Sequence, residues 1–311
     1  MPYCPSPPLS RSGNEWLVQD TVILKCAAYG RTVHAALIFP HLVCETDFAR
    51  LGASFPDPRV TVLGKAGRFS VSDKRRLLAM QSTALGQQEL HGNFSLWSGM
   101  DGALQVTPLN PQELSGPASA EEVTVDALLW AGYVHPERPS ILEAFSWEHG
   151  LFVAASTAPW PAVTSCECQP HRSSREPETN SWQQWISFGS ELRRRRIVPT
   201  VFQINLFRRS PHGELSWPPS THHLDAFEWF LDRMTLGATG ITTPLGKVPP
   251  PALRTRSQGA GIRRQRSFVN TEFWLQEAMQ IESIFRDLGA DVPDEMWGQL
   301  ETLKEKIIYA I

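Results

Sequence analysis

Residues 20–44, DTVILKCAAYGRTVHAALIFPHLVC, hold two apolar runs rich in β-branched residues on either side of Gly30. Val, Ile and Thr are stiff at χ1 and pack well on a pleated surface, so each run predicts a strand, with the glycine at the turn between them. Cys26 and Cys44 then fall inside or at the ends of strands. Next in the chain, RVTVLGKAGRFSVS (59–72) reads as a second strand pair, with GKAG as a plausible hairpin turn between short alternating segments. The first third of the chain is therefore predicted to be mainly β.

Past this region the pattern changes. TPLNPQELSGPASA (107–120) is dense in Pro, Gly and Ser and marks the best candidate boundary. Ser119 with Glu122, and Ser140 with Glu143, match the spacing at which a hydroxyl and a carboxylate reciprocally cap a helix start. LFVAAST (151–157) reads as a strand and 156–181 as a long polar loop. Trp182, Trp185 and Ile186 fall at helical spacing, IVPTVFQINLFRR (197–209) as a strand, and Leu224, Phe227, Phe230, Leu231 and Met234 on one helical stripe. Segment 237–267 has little periodicity. Two helices are predicted at the end, 271–288 with a stop at Gly289, then 294–309. The fold class predicted is α+β and two-lobed, with a β-rich N-terminal lobe (1–115) and a mixed, more helical C-terminal lobe (116–311), joined by long irregular connections.

The totals narrow the class of protein. The 311 residues are 41% hydrophobic and 20% charged, enough for one large core or two modest ones. A formal charge of −3 creates no global attraction to nucleic acid or anionic membrane. The 25 prolines favour short elements over a repetitive bundle or solenoid. No basic region followed by an apolar run opens the sequence, and AALIFPHLVC falls far short of the roughly 20 residues of a spanning helix. Five cysteines, unevenly spaced, do not form a disulfide framework and predict a protein made in the cytoplasm.

CECQPH (166–171) brings Cys166, Cys168 and His171 together. Two thiolates and an imidazole can share a zinc ion, which accepts S and N ligands tetrahedrally, and a fourth ligand could come from His222 or His223. An unligated polar loop is the plainer reading of the same residues. Cys26, His34, His41 and Cys44 form a second possible quartet, at a spacing that matches no closed zinc module. GITTPLGKV (240–248) fails as a phosphate loop: five residues separate its glycines, one is Pro244, and Val248 stands where a hydroxyl is needed. No G-x-G-x-x-G follows a strand, and no G-x-S-x-G occurs.

Two arginine groups remain. Arg193, Arg194, Arg195 and Arg196, with Arg208 and Arg209, and the set Arg254 to Arg266, could grip RNA phosphates or pair with acidic protein surfaces. Ion pairing is the plainer use. An enzyme would have to build its site from groups such as Glu148, His149, His222 and His223.

TTPLGKVP (242–249) resembles a run in the reovirus sigma-class outer-capsid protector proteins. That resemblance implies a two-lobed structural subunit that covers a membrane-penetration protein on the virion surface of a double-stranded RNA virus. Its partners would be other capsid proteins and copies of itself, with RNA bound in some members, and it would turn over no small-molecule substrate. The family's zinc, near its N-terminus, does not carry over, because Cys26, His41 and Cys44 lack the ligand spacing. The function expected from sequence is accordingly interaction rather than catalysis.

Overall fold

Tyr29 and Gly30 both take left-handed backbone angles (φ 53° and 72°), the pairing that turns a tight hairpin with the twist of its strands. They join β3 (Thr21–Ala28) to β4 (Arg31–Ile38), antiparallel in register from Thr21 opposite Ile38 to Ala28 opposite Arg31. The computed structural model describes residues 9–18, 21–38, 59–72, 74–81, 94–98, 104–108, 122–133, 139, 141–156, 181–209, 215–216, 221–250 and 271–309.

β1 (Leu9–Ser12) and β2 (Glu15–Val18) precede this hairpin, and β5 (Val60–Val71), β6 (Leu77–Gln81) and β9 (Glu122–Thr124) follow it in the same sheet. Among the described residues, β7 (Phe94–Ser98) and β8 (Leu104–Pro108) pair only with each other. The expected turn at GKAG is absent. β5 runs straight through it as one 12-residue strand, with register shifts opposite Ile23/Leu24 and between Ala66 and Arg68. A glycine inside a strand often marks such an irregularity rather than a reversal.

The centre of the sheet is parallel. β10 (Ala127–Tyr133) lies between β4 and β12 (Thr200–Arg209) and runs parallel to both, with Leu129 opposite Leu37 on one side and Phe202 on the other. β11 (Ile141–Glu143), β15 (Gly246–Val248) and β14 (Ile241–Thr243) continue the order beyond β12, and β13 (Leu215–Ser216) pairs with the far end of β12. Strands from both sides of 107–120 thus share one 13-stranded sheet.

Strand alternation sends side chains to two cores. Ile23, Ala36, Ile38, Leu128, Trp130 and Val201 enter one; Leu24, Leu37, Leu129, Ala131, Phe202 and Ile204 enter the other. The first core is covered by α1 (Trp147–Ala155), α2 (Ser181–Arg194), α4 (Thr271–Leu288) and α5 (Asp294–Tyr309), the second by α3 (Thr221–Leu236). Among the described residues no helix is long and apolar enough to cross a membrane.

Two expected elements are exchanged. The strand predicted at 151–157 is part of α1, whose residues are all buried except Glu148, and the helix predicted from Ser140 begins instead as β11. Ser146 caps α1, its hydroxyl accepting from the His149 N–H at 3.2 Å. Glu122, expected in a helix start, opens β9. The helices predicted at 271–288 and 294–309 form over those residues, separated by a 3-10 turn at Gly289–Asp291 where Gly289 is left-handed (φ 60°).

Candidate functional site

In open sheets with parallel strands, ligands collect beyond the carboxyl ends, where loops diverge and backbone groups are unpaired. Here that rim is formed by β4, β10 and β12. α1 packs at the other end of these strands, against the start of β12. A Cβ on Gly150 would lie 2.5 Å from Val201 Cγ1, so the helix rests on β12 at a distance only glycine permits. α1 is held in turn by α2: Trp147 fits over Gly189 and its Nε1 donates to the Trp185 carbonyl at 3.1 Å.

His149 faces inward on α1 and is buried. Its Nδ1 accepts from the Phe145 N–H at 3.2 Å, and its ring lies 4.9 Å from that of Phe145, over which Lys306 Nζ sits at 4.2 Å. Burial, and secondarily the Lys306 charge, lower its pKa to about 4. At neutral pH it is an uncharged ring whose Nδ1 is committed as an acceptor, which is far from the poise of a general base. Glu148 points away to an ion pair with Arg193 of α2. His222 and His223 lie in the first turn of α3, on the opposite face of the sheet from α1, and their side chains are outside the described set. The structure therefore does not gather Glu148, His149, His222 and His223.

Cys166, Cys168 and His171 also lie outside the described residues. Of the N-terminal quartet, Cys26 is buried in the second core and His41 and Cys44 are outside the described set. Among the described residues no three His, Cys, Asp or Glu side chains converge as a metal site. Arg193 and Arg194 end α2, and Arg195 and Arg196 form the turn that follows it. Arg193 pairs with Glu148, Arg195 meets the buried Glu191 at 3.1 Å, and Arg196 adopts the left-handed angle (φ 59°) of a helix stop. Glu191 also accepts from Trp16 Nε1 at 3.3 Å, which fastens β2 to α2.

A polar centre not foreseen from sequence lies on the α3 side. Glu143 of β11 is buried yet accepts from Arg233 Nε (2.5 Å) and Nη2 (3.1 Å) and from Lys247 Nζ (3.0 Å). Burial alone would raise its pKa, but the hydrogen bonds from Arg233 and Lys247 and their charges together hold the carboxyl below the usual range. The same contact with Glu143 raises Arg233. Arg233 also donates to the Ala238 carbonyl at 2.8 Å, so the group ties β11, α3 and the β14–β15 hairpin together. A strand whose third residue is a carboxylate between apolar neighbours was the available signal, obscured by its match to a helix cap.

A mixed sheet with a parallel centre, covered by helices on both faces, is a mixed α and β fold, consistent with the α+β class expected from sequence. Residues 111–306 match the family described as phosphoenolpyruvate carboxykinase C-terminal P-loop domain, and the chain belongs to that family. It is 27% identical over 199 residues to the mitochondrial phosphoenolpyruvate carboxykinase [GTP] of Gallus gallus, covering 60% of this chain and 31% of that protein. With the phosphoenolpyruvate carboxykinase [GTP] of Thermoplasma volcanium it shares 27% over 203 residues, 61% of this chain and 33% of the relative. The cytosolic enzyme of Bos taurus is 26% identical over 199 residues, 61% and 32%. The chain thus spans about a third of the length of these relatives.

These matches overturn the capsid expectation. The run 242–249 is the β14–β15 hairpin and lies within the carboxykinase match, so its likeness to the reovirus protector proteins is a short coincidence. With it fall the protector function, the capsid partners, the virion location and the assignment to non-enzymes: the relatives are enzymes named for small molecules, one mitochondrial and one cytosolic. Their names give no indication of zinc. The absence of a short catalytic motif does not exclude catalysis, because the family likeness is spread over nearly two hundred residues, 111–306.

Proposed function

We propose that the protein is an enzyme of carboxykinase type, taking its small-molecule substrates at the rim made by the carboxyl ends of β4, β10 and β12. The observation that carries this reading is the family match over 111–306, which contains β10, β12, α1 to α4 and all but the last three residues of α5. The relatives' printed names supply the substrate class, phosphoenolpyruvate with a guanosine nucleotide. The frame's part is positional: α1 against the start of β12, and β11 held by the Glu143 centre opposite Phe202, anchor the amino ends of the strands whose far ends make the rim.

The residues present do not fit one element of the family's description. A phosphate loop needs glycines and a Lys-Ser/Thr pair after a parallel strand, and Gly-Lys occurs here only at 64–65 and 246–247, followed by Ala66 and Val248. No phosphoryl-transfer step is therefore routed through such a loop. The test is direct: incubate the full chain with phosphoenolpyruvate, bicarbonate, GDP and a divalent cation, and follow phosphorus by NMR. Consumption of phosphoenolpyruvate above the protein-free blank is expected; none under any nucleotide condition sinks the reading.

A further inference from the structure

Two turns of this chain hold arginine where glycine is the ordinary choice. Between β5 and β6 the Arg75 N–H donates to the Ser72 carbonyl and the Ser72 N–H to the Arg76 carbonyl, both at 3.0 Å. That is the pattern of a three-residue hairpin loop whose last member is left-handed, and Arg75 takes φ 57°. After α2 the Ile197 N–H donates to the Leu192 carbonyl and the Arg196 N–H to the Arg193 carbonyl, both at 2.9 Å. This pair of bonds marks a helix stop that favours glycine, and Arg196 fills its left-handed position at φ 59°. Glycine holds such angles at Gly13, Gly30, Gly237 and Gly289. A side chain there strains the backbone, and such strain persists where the residue has a use.

That use lies outside the turns. Lys74, Arg75, Arg76, Arg194 and Arg196 are exposed and make no ion pair among the described residues. The acids near them are already engaged: Glu148 by Arg193, Glu191 by Arg11 and Arg195, and Asp126 by the His34 N–H at 2.9 Å. Asp73, outside the described residues, is the one acid of the first turn. Both turns border the link that opens β10, where the Val125 N–H donates to the Leu77 carbonyl at 2.8 Å and the Thr200 N–H to the Asp126 carbonyl at 3.3 Å. They therefore lie by the amino ends of β10 and β12, opposite the rim. Val198, beside Arg196 in the chain, is 77% exposed.

Arginines around an exposed apolar side chain suit a protein partner, whereas single-stranded RNA is held by stacking on aromatic rings. The exposed aromatics among the described residues, Tyr29, Phe145 and Tyr309, belong to other segments. A matching surface exists in this same chain. Residues 271–309 hold nine carboxylates against three basic side chains. On α5, Glu301, Glu305 and Ile308 are exposed along one stripe, and Tyr309 at its end is 87% exposed. Glu305 makes no ion pair among the described residues.

We infer that copies of this chain associate through unlike surfaces, the arginine turns 74–76 and 194–196 of one receiving the acidic outer stripe of α5 of another, with Val198 as the apolar contact. The inference does not rest on the carboxykinase reading, since the surface lies away from the rim. Sedimentation velocity of the full, folded chain tests it. Association that grows with chain concentration at about 0.1 M salt is expected to weaken about tenfold or more at about 1 M, where the Debye length has fallen from about 10 Å to about 3 Å. A monomer at every concentration up to about 1 mM in the lower salt overturns the inference.

Arg75→Gly combined with Arg196→Gly separates charge from folding, because glycine takes both backbone angles without strain. Association should fall about tenfold or more while the urea midpoint holds or rises; unchanged association overturns the inference whatever the midpoint does. Arg194→Glu and Glu305→Arg should each lose self-association and regain it when mixed, and a mixture that stays monomeric overturns it. Salt-sensitive binding of a uridine oligonucleotide by a parent that stays monomeric also overturns it, in favour of a nucleic-acid surface.

Discussion

His149 shows how a residue type can mislead when its surroundings are unknown. In sequence, a histidine beside a glutamate looks like half of an acid–base pair; in the fold one partner faces an arginine and the other is sealed against Phe145. Its lowered pKa makes a prediction about stability instead. The unfolded histidine binds protons below about pH 6.5 while the folded one resists them down to about 4. Between those values the unfolded state carries more protons, so stability is complete above the upper limit and declines as pH falls through the window. From pH 7 to pH 5 the loss from this group is about 2 kcal/mol. Urea midpoints at the two pH values should therefore differ less in His149→Gln than in the parent, and an unchanged difference would show that His149 is not the group responsible.

At the scale of elements, legibility followed amphipathic pattern. α3, α4 and α5 each bury one stripe, so their apolar spacing states their period, and the ends of α4 and α5 were readable to the residue. α1 has no such stripe. Buried nearly all round, it presents the short apolar run LFVAA, which periodicity cannot separate from a central strand. The capping spacings at Ser119 and Ser140 were false signals for a related reason: their glutamates were drawn into sheet pairings, and Glu143 into an ion cluster, by partners distant in sequence. What fixes α1 is contact, and contact can be tested. In Gly150→Ala the new methyl would press on Val201 Cγ1, 2.5 Å away. Alanine favours a helix by up to about 1 kcal/mol over glycine, and overpacking costs about 1–3 kcal/mol, so a net loss near 1 kcal/mol is expected in thermal or urea unfolding. Adding Val201→Ala should recover stability relative to the single change. Failure to recover would place the strain elsewhere.

For the whole molecule, the parallel centre was the least legible feature, because β4, β10 and β12 are each readable as strands while their adjacency depends on pairings between distant segments. The same adjacency bears on cohesion. β10 is bonded to a strand from the first part of the chain and to another from the last, and the first core draws on β1, β2, α1, α2, α4 and α5 together. Denaturation is expected as one transition, with tryptophan emission and far-ultraviolet circular dichroism coinciding; two separated transitions would mean that the halves on either side of 107–120 are stable alone.

The position of β10 also governs how the chain is made. Ala127 must wait on the ribosome for Thr200 to emerge, while Leu128 and Trp130 have only the β4 edge to lean on. During that interval a nascent chain displays an apolar strand with one side open, which is a template for association with neighbours. Synthesis thus includes an interval of exposure that closes when Thr200–Arg209 emerges and pairs with β10.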